Sequence, residues 1–117
     1  MSVSLYAVTF DCSDAARLAG FWSGVLQRPV DEGATTDVAS VSLGESLPHW
    51  YFMRVPESKV VKNRVHADLV TTELITEVKR IVDLGATTQD QFDEGGYRWF
   101  TLLDPEGNEF DVVAAAE

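Results

Sequence analysis

Residues 65–84, VHADLVTTELITEVKRIVDL, change from one backbone period to another within twenty positions. Across Arg64–Val70 apolar and polar side chains alternate, as in a half-buried strand, whereas Leu74, Ile75, Val78, Ile81 and Val82 recur at helical spacing. Gly85 follows, and glycine readily takes the left-handed conformation that closes a helix. Residues 6–25, YAVTFDCSDAARLAGFWSGV, show the same plan 59 positions earlier. There Val3–Asp11 is rich in strand-forming residues, and Ser13 or Asp14 can cap a helix through a short side-chain oxygen. Ala15, Leu18, Ala19, Trp22, Val25 and Leu26 form that helix's apolar face, which ends before Pro29.

Strands follow each βα unit: Val38–Leu43 and Trp50–Val55 in the first half, and Thr87–Phe92, Tyr97–Leu103 and Glu109–Ala114 in the second. Glu94-Gly95-Gly96 and Asp104-Pro105-Glu106-Gly107 supply turns, and the polar Pro56–Asn63 stretch reads as a linker. A gap-free shift of 59 lays Trp22 on Ile81, Val41 on Phe100, Leu43 on Leu102, Tyr51 on Phe110 and Met53 on Val112. Only Asp31 with Asp90 and Leu43 with Leu102 are identical, so the repeat is one of pattern. The expectation is one α+β domain over residues 1–117, with module one at about 1–57 and module two at about 62–117.

Composition bounds the function. The chain has 117 residues, 45% of them hydrophobic, and a net charge of −10. That charge argues against nucleic acid and against an anionic membrane surface as partners, and suits a neutral or cationic ligand. No apolar run approaches the roughly 18 residues of a membrane helix, so a cytoplasmic protein is expected. The single cysteine, Cys12, excludes an intrachain disulfide and is expected to be a buried small residue.

Alternation assigns each strand a helix-facing side and an opposite side. With Tyr51, Met53 and Val55 packed inward, Trp50, Phe52 and Arg54 fall on the opposite face. The same reasoning puts Ala7, Thr9 and Asp11 there from the first strand, and Arg64, His66 and Asp68 from its second-half counterpart. Trp99 and Thr101, then Glu109, Asp111 and Val113, complete it, with Ser40 and Ser42 opposite Trp99 and Thr101. Large aromatics among ionisable groups are the makings of a ligand cavity. His49, beside Pro48, is expected to face solvent at a turn.

Several stretches resemble the glyoxalase / bleomycin-resistance / dioxygenase superfamily, also called vicinal oxygen chelate, and nearly the whole chain is covered. The most specific are Asp104-Pro105-Glu106-Gly107-Asn108-Glu109-Phe110 and Asp14-Ala15-Ala16-Arg17-Leu18-Ala19-Gly20-Phe21-Trp22. Arg54-Val55-Pro56-Glu57, Val61-Lys62-Asn63-Arg64 and His66-Ala67-Asp68-Leu69 look like the small glyoxalase-like domains of that superfamily. The resemblance implies two βαβββ modules in pseudo-two-fold repeat, with curved mixed sheets around a shared cavity and commonly a homodimer.

Family enzymes hold a divalent metal with one ligand on the first and one on the last strand of each module. Carried over, those positions are His66 and Asp111 in module two, but Ala7 and Phe52, which cannot ligate, in module one. Asp68 or Glu109 shares the face and could supply a third ligand. The resemblance thus implies a degenerate metal site with no cofactor beyond a divalent ion, and no catalytic residue is assigned. One reading is a metal-free binder of a flat or cationic small molecule, through Trp50, Phe52, Arg54, Trp99, Asp68, Glu109 and Thr9. It looks like the drug-sequestering branch of the family. The alternative is a metal-dependent lyase, isomerase or dioxygenase-type enzyme using His66, Asp111 and a third carboxylate. A blander reading makes the aromatic face a dimer contact. Lys59, Lys62 and Arg64 read as a solvated linker, or as cations reaching an anionic substrate group.

Overall fold

A computed structural model describes residues 3–115 and divides the chain into two compact units, Met1–Ser58 and Lys59–Glu117. The first contains β1 (Ala7–Cys12), α1 (Ala15–Leu26), β2 (Val38–Leu43) and β3 (Ser46–Arg54). Its sheet runs β1-β3-β2, with β1 parallel and β2 antiparallel to β3. The second contains β4 (Asp68–Thr71), α2 (Leu74–Leu84), β5 (Thr87–Glu94), β6 (Tyr97–Leu103) and β7 (Glu109–Ala114), in sheet order β4-β7-β6-β5. Here β4 is parallel to β7, and the other pairs are antiparallel. In each unit the helix lies in the connection between the two parallel strands, which a tight hairpin cannot join.

Local chemistry explains the helices. Asp14 accepts the Arg17 N–H at 3.1 Å and caps α1. Gly85, at φ 129°, closes α2 and donates its N–H to the carbonyls of Ile81 and Val82. Each helix buries most of the stripe read from its periodicity, but Ile75 of α2 is 58% exposed and departs from it. Ala15, Leu18, Ala19, Trp22 and Val25 are buried in unit one, as are Leu74, Val78 and Ile81 in unit two. Trp22 meets Phe10 and Trp50 at centroid distances of 6.0 and 5.0 Å, and Phe10 stacks on Phe52 at 5.5 Å. In unit two the buried sheet residues are Leu102, Phe110 and Val112.

Four expectations need correction. First, β1 starts at Ala7 rather than Val3: Val3 is 94% exposed, and just upstream of the strand the Tyr6 carbonyl accepts the His49 N–H. Second, β4 is four residues long, because Arg64 and Val65 bend away before pairing with β7 begins.

Third, β3 begins at Ser46, so Pro48 and His49 are strand residues, not a turn. Pro48 sits where the β2–β3 register shifts and before β1 begins to pair, so its missing N–H removes no ladder bond. His49 is half-buried. Its Nδ1 is buried without a hydrogen-bond partner, and its ring meets Tyr6 edge-on at 5.1 Å.

The fourth correction concerns the faces of β3. Phe52 is fully buried and Trp50 packs on Trp22, so both belong to the helix side, while Met53 is 49% exposed. In register terms Phe10 pairs with Phe52, and Leu69 with Val112. Phe10 and Leu69 are 59 apart, but Phe52 and Val112 are 60 apart. That one-residue slip turns every side chain of the strand over.

Candidate metal and ligand site of the second module

The turn before β7 builds itself. Buried Asp104 accepts the N–H groups of Glu106 and Asn108 on Oδ1, at 2.9 and 3.0 Å, and the Asn108 amide on Oδ2. Gly107, at φ 86°, donates its N–H to the Asp104 carbonyl at 2.8 Å. This Asp-Pro-Glu-Gly-Asn turn delivers Glu109 and Asp111 onto the sheet face away from the buried Phe110 and Val112.

On that face Asp68 and Thr101 stand opposite Asp111 in the ladders on either side of it. The Thr101 hydroxyl donates to Asp111 Oδ1 at 2.7 Å, leaving Oδ2 toward His66. His66 Nδ1 lies 2.9 Å from Asp68 Oδ1 and 3.9 Å from Asp111 Oδ2. All three residues offer ligand atoms within 4.8 Å of one another. Bonds of roughly 2.0–2.2 Å to a divalent ion put neighbouring ligand atoms about 3–4 Å apart, so this set fits such an ion with little rearrangement. One imidazole and two carboxylates suit zinc, manganese or iron(II). Asp111 is mostly buried, whereas His66 and Asp68 stand open to solvent.

The third carboxylate is Asp68, not Glu109. Glu109 is turned to another partner set: its Oε1 accepts the Asn63 N–H at 2.9 Å and lies 3.1 Å from the Lys59 ammonium. Burial pushes the Glu109 carboxyl up, but the Asn63 amide and the Lys59 ammonium outweigh it, so its pKa falls below the ordinary value. The Lys59–Asn63 segment, read as a solvated linker, is therefore tied to β7. Trp99 lies on the same face, stacked on Phe92 with centroids 4.8 Å apart.

The equivalent positions of the first unit do not carry this donor set. Thr9 pairs with Tyr51 and Ala7 with His49, so the residue standing where module two has Asp111 is Tyr51 rather than Phe52. The Tyr51 hydroxyl meets that of Tyr6 at 3.0 Å, which raises the Tyr51 pKa. Asp31 accepts the Ser40 and Ser42 hydroxyls at 2.6 and 2.7 Å, and the Ser40 hydroxyl leads in drawing its pKa down. Sequence reading missed this carboxylate's role, although its identity with Asp90 under the shift was visible. A cavity of about 160 Å³ opens beside Ser40, Tyr51 and Glu32, below the roughly 300 Å³ of an ordinary ligand pocket. Arg54 ends β3, exposed and ion-paired with Asp37 at 3.3 Å. Of the expected ligand-binding residues, Asp68, Trp99 and Glu109 share the second-module face, and Thr9 lies on the corresponding first-module face. Phe52 is in the core, and Trp50 is half-buried against Trp22.

Among the described residues no helix is long and apolar enough to cross a membrane. A search of curated protein sequences finds no match. Solved structures of like fold include a glyoxalase/bleomycin resistance protein/dioxygenase family enzyme from Burkholderia phytofirmans, 16% identical, with 97% of this chain and 100% of that one covered at a TM-score of 0.79. Another is the fosfomycin resistance protein FosX from Listeria monocytogenes in complex with Mn(II) and a dihydroxypropylphosphonic acid, 13% identical, covering 99% and 92% at 0.77. A third is a glyoxalase-related enzyme from Fulvimarina pelagi, 10% identical, covering 96% and 88% at 0.74. At these identities the likeness is one of fold. The glyoxalase-like domain model, by contrast, matches residues 7–113, and with two units built on one βα plan this chain belongs to the glyoxalase-like domain family.

Proposed function

We propose that this chain binds a small molecule on the open face of its second module, with a divalent cation held by His66, Asp68 and Asp111. The observation that carries this reading is the convergence of those three ligand atoms within 4.8 Å. A divalent ion there would polarise a carbonyl or hydroxyl oxygen of the bound molecule, the chemistry of a lyase, isomerase or dioxygenase-type enzyme. Thr101 fixes the Asp111 carboxylate, as an outer partner must if a ligand is to keep one orientation. Isothermal titration of chelator-stripped protein with Mn(II) tests the reading. One equivalent is expected to bind per chain, and His66→Ala to abolish it; absence of binding in the low-millimolar range overturns it.

A second reading is favoured by the Phe92–Trp99 stack: a metal-free site for a flat or cationic compound, with Asp68 and Asp111 as counter-charges. Thermal-shift screening against cationic aromatics, compared between wild type and Trp99→Ala, supports it if the shift is metal-independent and lost in the variant. The net charge of −10 and the family's habit support a cytoplasmic homodimer without nucleic-acid or membrane partners. Light scattering at micromolar concentration checks the dimer.

A further inference from the structure

We propose that the cavity of unit one, between the 31–38 loop and the β2–β3 ladder, is a site for a small methylated ammonium group, held against the Tyr51 ring with Glu32 as its counter-charge. It is separate from the second-module site and does not depend on the reading given for it. The cavity is preformed, because the loop is pinned to β2 at both ends. At one end the Asp31 N–H donates to the Ser40 carbonyl at 2.9 Å, and the Asp31 carboxylate accepts the Ser40 and Ser42 hydroxyls. At the other the Thr35 N–H donates to the Val38 carbonyl at 2.8 Å, and Thr35 Oγ1 accepts the N–H groups of Asp37 and Val38. Glu32, Gly33 and Ala34 span the gap between these pins, with Gly33 at φ 90°, where a side chain would be strained. They line the cavity together with Val38, Ser40 and Tyr51, and Ser40 pairs with Tyr51 across the ladder, which puts both on one face.

The lining selects the ligand. A volume of about 160 Å³ admits a head group rather than a drug-sized molecule. A primary ammonium brings three donors, each needing an acceptor, and Gly33, Ala34 and Val38 offer no side-chain acceptor. A bare divalent ion needs several ligand atoms converging on it, and among the described residues the group of that kind lies in unit two. A methylated ammonium makes neither demand. Its methyls pack on apolar walls, while its charge is attracted by an aromatic ring and a nearby carboxylate. The charge of the unit has the matching sign, since residues 1–58 hold seven acids against three arginines. What distinguishes Glu32 from the other exposed acids is that it lines a cavity with an aromatic ring in it. Asp31 adds to the field. After the Tyr6 hydroxyl and burial, its charge helps to raise the Tyr51 pKa, so it acts within electrostatic reach of that side chain.

The test uses choline and its neutral isostere dimethylbutanol, in which carbon replaces the ammonium nitrogen, so that the two differ in charge and not in shape. Both are titrated into the isotope-labelled full chain with EDTA present, and backbone amide shifts are followed by NMR. Choline should bind in the millimolar range, about tenfold more tightly than the alcohol, with the largest shifts at residues 32–34, Ser40 and Tyr51. Glu32→Gln should cut that preference about two- to fivefold. Tyr51→Leu should cut it by a similar factor, and Tyr51→Phe, which keeps the ring, should leave it in place. Spectra without ligand are the fold control, and if Tyr51→Leu fails it, Glu32→Gln and Tyr51→Phe decide. Equal affinity for the two compounds, no choline binding, or shifts centred on Trp99 and His66 overturns the proposal. So does a preference that survives Glu32→Gln or a folded Tyr51→Leu, or one lost in Tyr51→Phe.

Discussion

Replacing Glu109 by Gln removes one charge while keeping the shape of the side chain. In the native protein its carboxylate is 10% exposed, faces Lys59 at 3.1 Å and holds the Asn63 N–H at 2.9 Å. Glutamine can keep the Asn63 bond as a neutral one. A charge-assisted bond is about twice as strong as a neutral one, so roughly 1 kcal/mol is lost there. The Lys59 pair lies between an exposed pair, worth about 0–1 kcal/mol, and a buried one whose rupture costs about 3–5 kcal/mol. With Lys59 24% exposed it falls near the lower end, at about 1 kcal/mol, for a total near 2 kcal/mol. The sign with pH follows from the depressed pKa. The folded protein keeps Glu109 charged at lower pH than the unfolded chain does. This stabilisation is complete above the ordinary value of 4.5 and drains away as pH falls through the lower folded value. Urea unfolding of wild type and Glu109→Gln should therefore differ by about 2 kcal/mol from pH 7 to about pH 5, and the gap should close below that. A gap under about 0.5 kcal/mol at pH 7, or one that stays flat into acid, refutes the reasoning.

The remaining expectations concern separate parts of the chain. Phe52→Ala should cost about 3–5 kcal/mol in urea unfolding, because it empties a fully buried ring site between Phe10 and the helix. A cost below about 1 kcal/mol would return Phe52 to the ligand face. Thr101→Val should weaken Mn(II) binding about tenfold by freeing the Asp111 carboxylate, while leaving the melting temperature within a few degrees. Ser40→Ala should raise the Asp31 pKa toward 3.8, followed by carbon-detected NMR titration, since the Ser40 hydroxyl is the main group holding it down. An unchanged Asp31 titration would show that other groups set it.

The two modules were legible because the helical stripes are carried by large residues whose burial is worth about 1.5–3 kcal/mol each, and nothing local competes with them. The faces of the strands were legible only where the misalignment was even. Between β2 and β6 the true offset is 61, since Val41 pairs with Trp50 as Leu102 pairs with Phe110. An error of two residues leaves each side chain on its own face, so Ser40 and Ser42 came out correctly. Between β3 and β7 the offset is 60, and an error of one sent Trp50 and Phe52 to the wrong side. A gap-free superposition cannot register the extra residue, because Tyr51 and Met53 are apolar enough to pass for core. The linkage of Glu109 to Asn63 was invisible for another reason: it is a long-range contact to a backbone amide, which no side-chain pattern encodes.

The corrected faces change which chemistry the site favours. With Phe52 in the core and Trp50 packed on Trp22 and Phe10, the Phe92–Trp99 pair is left as the aromatic support for a flat ligand. The carboxylate argument, meanwhile, becomes more local. In unit one the Asp31 carboxylate is satisfied in place by two donated hydroxyls, and Tyr51 stands where module two has Asp111. In unit two Glu109 is answered by Lys59, but among the described residues Asp68 and Asp111 have only His66 and the Thr101 hydroxyl as partners. Two carboxylates meeting one imidazole leave net negative charge whichever form the imidazole takes. An uncompensated charge at a half-open site is tolerated by water but satisfied better by a divalent ion, which cancels both at once. The unpaired acid beside a nitrogen donor, at the His66 end of the second module, is therefore the part of the chain's acidic excess on which the proposed cation site rests.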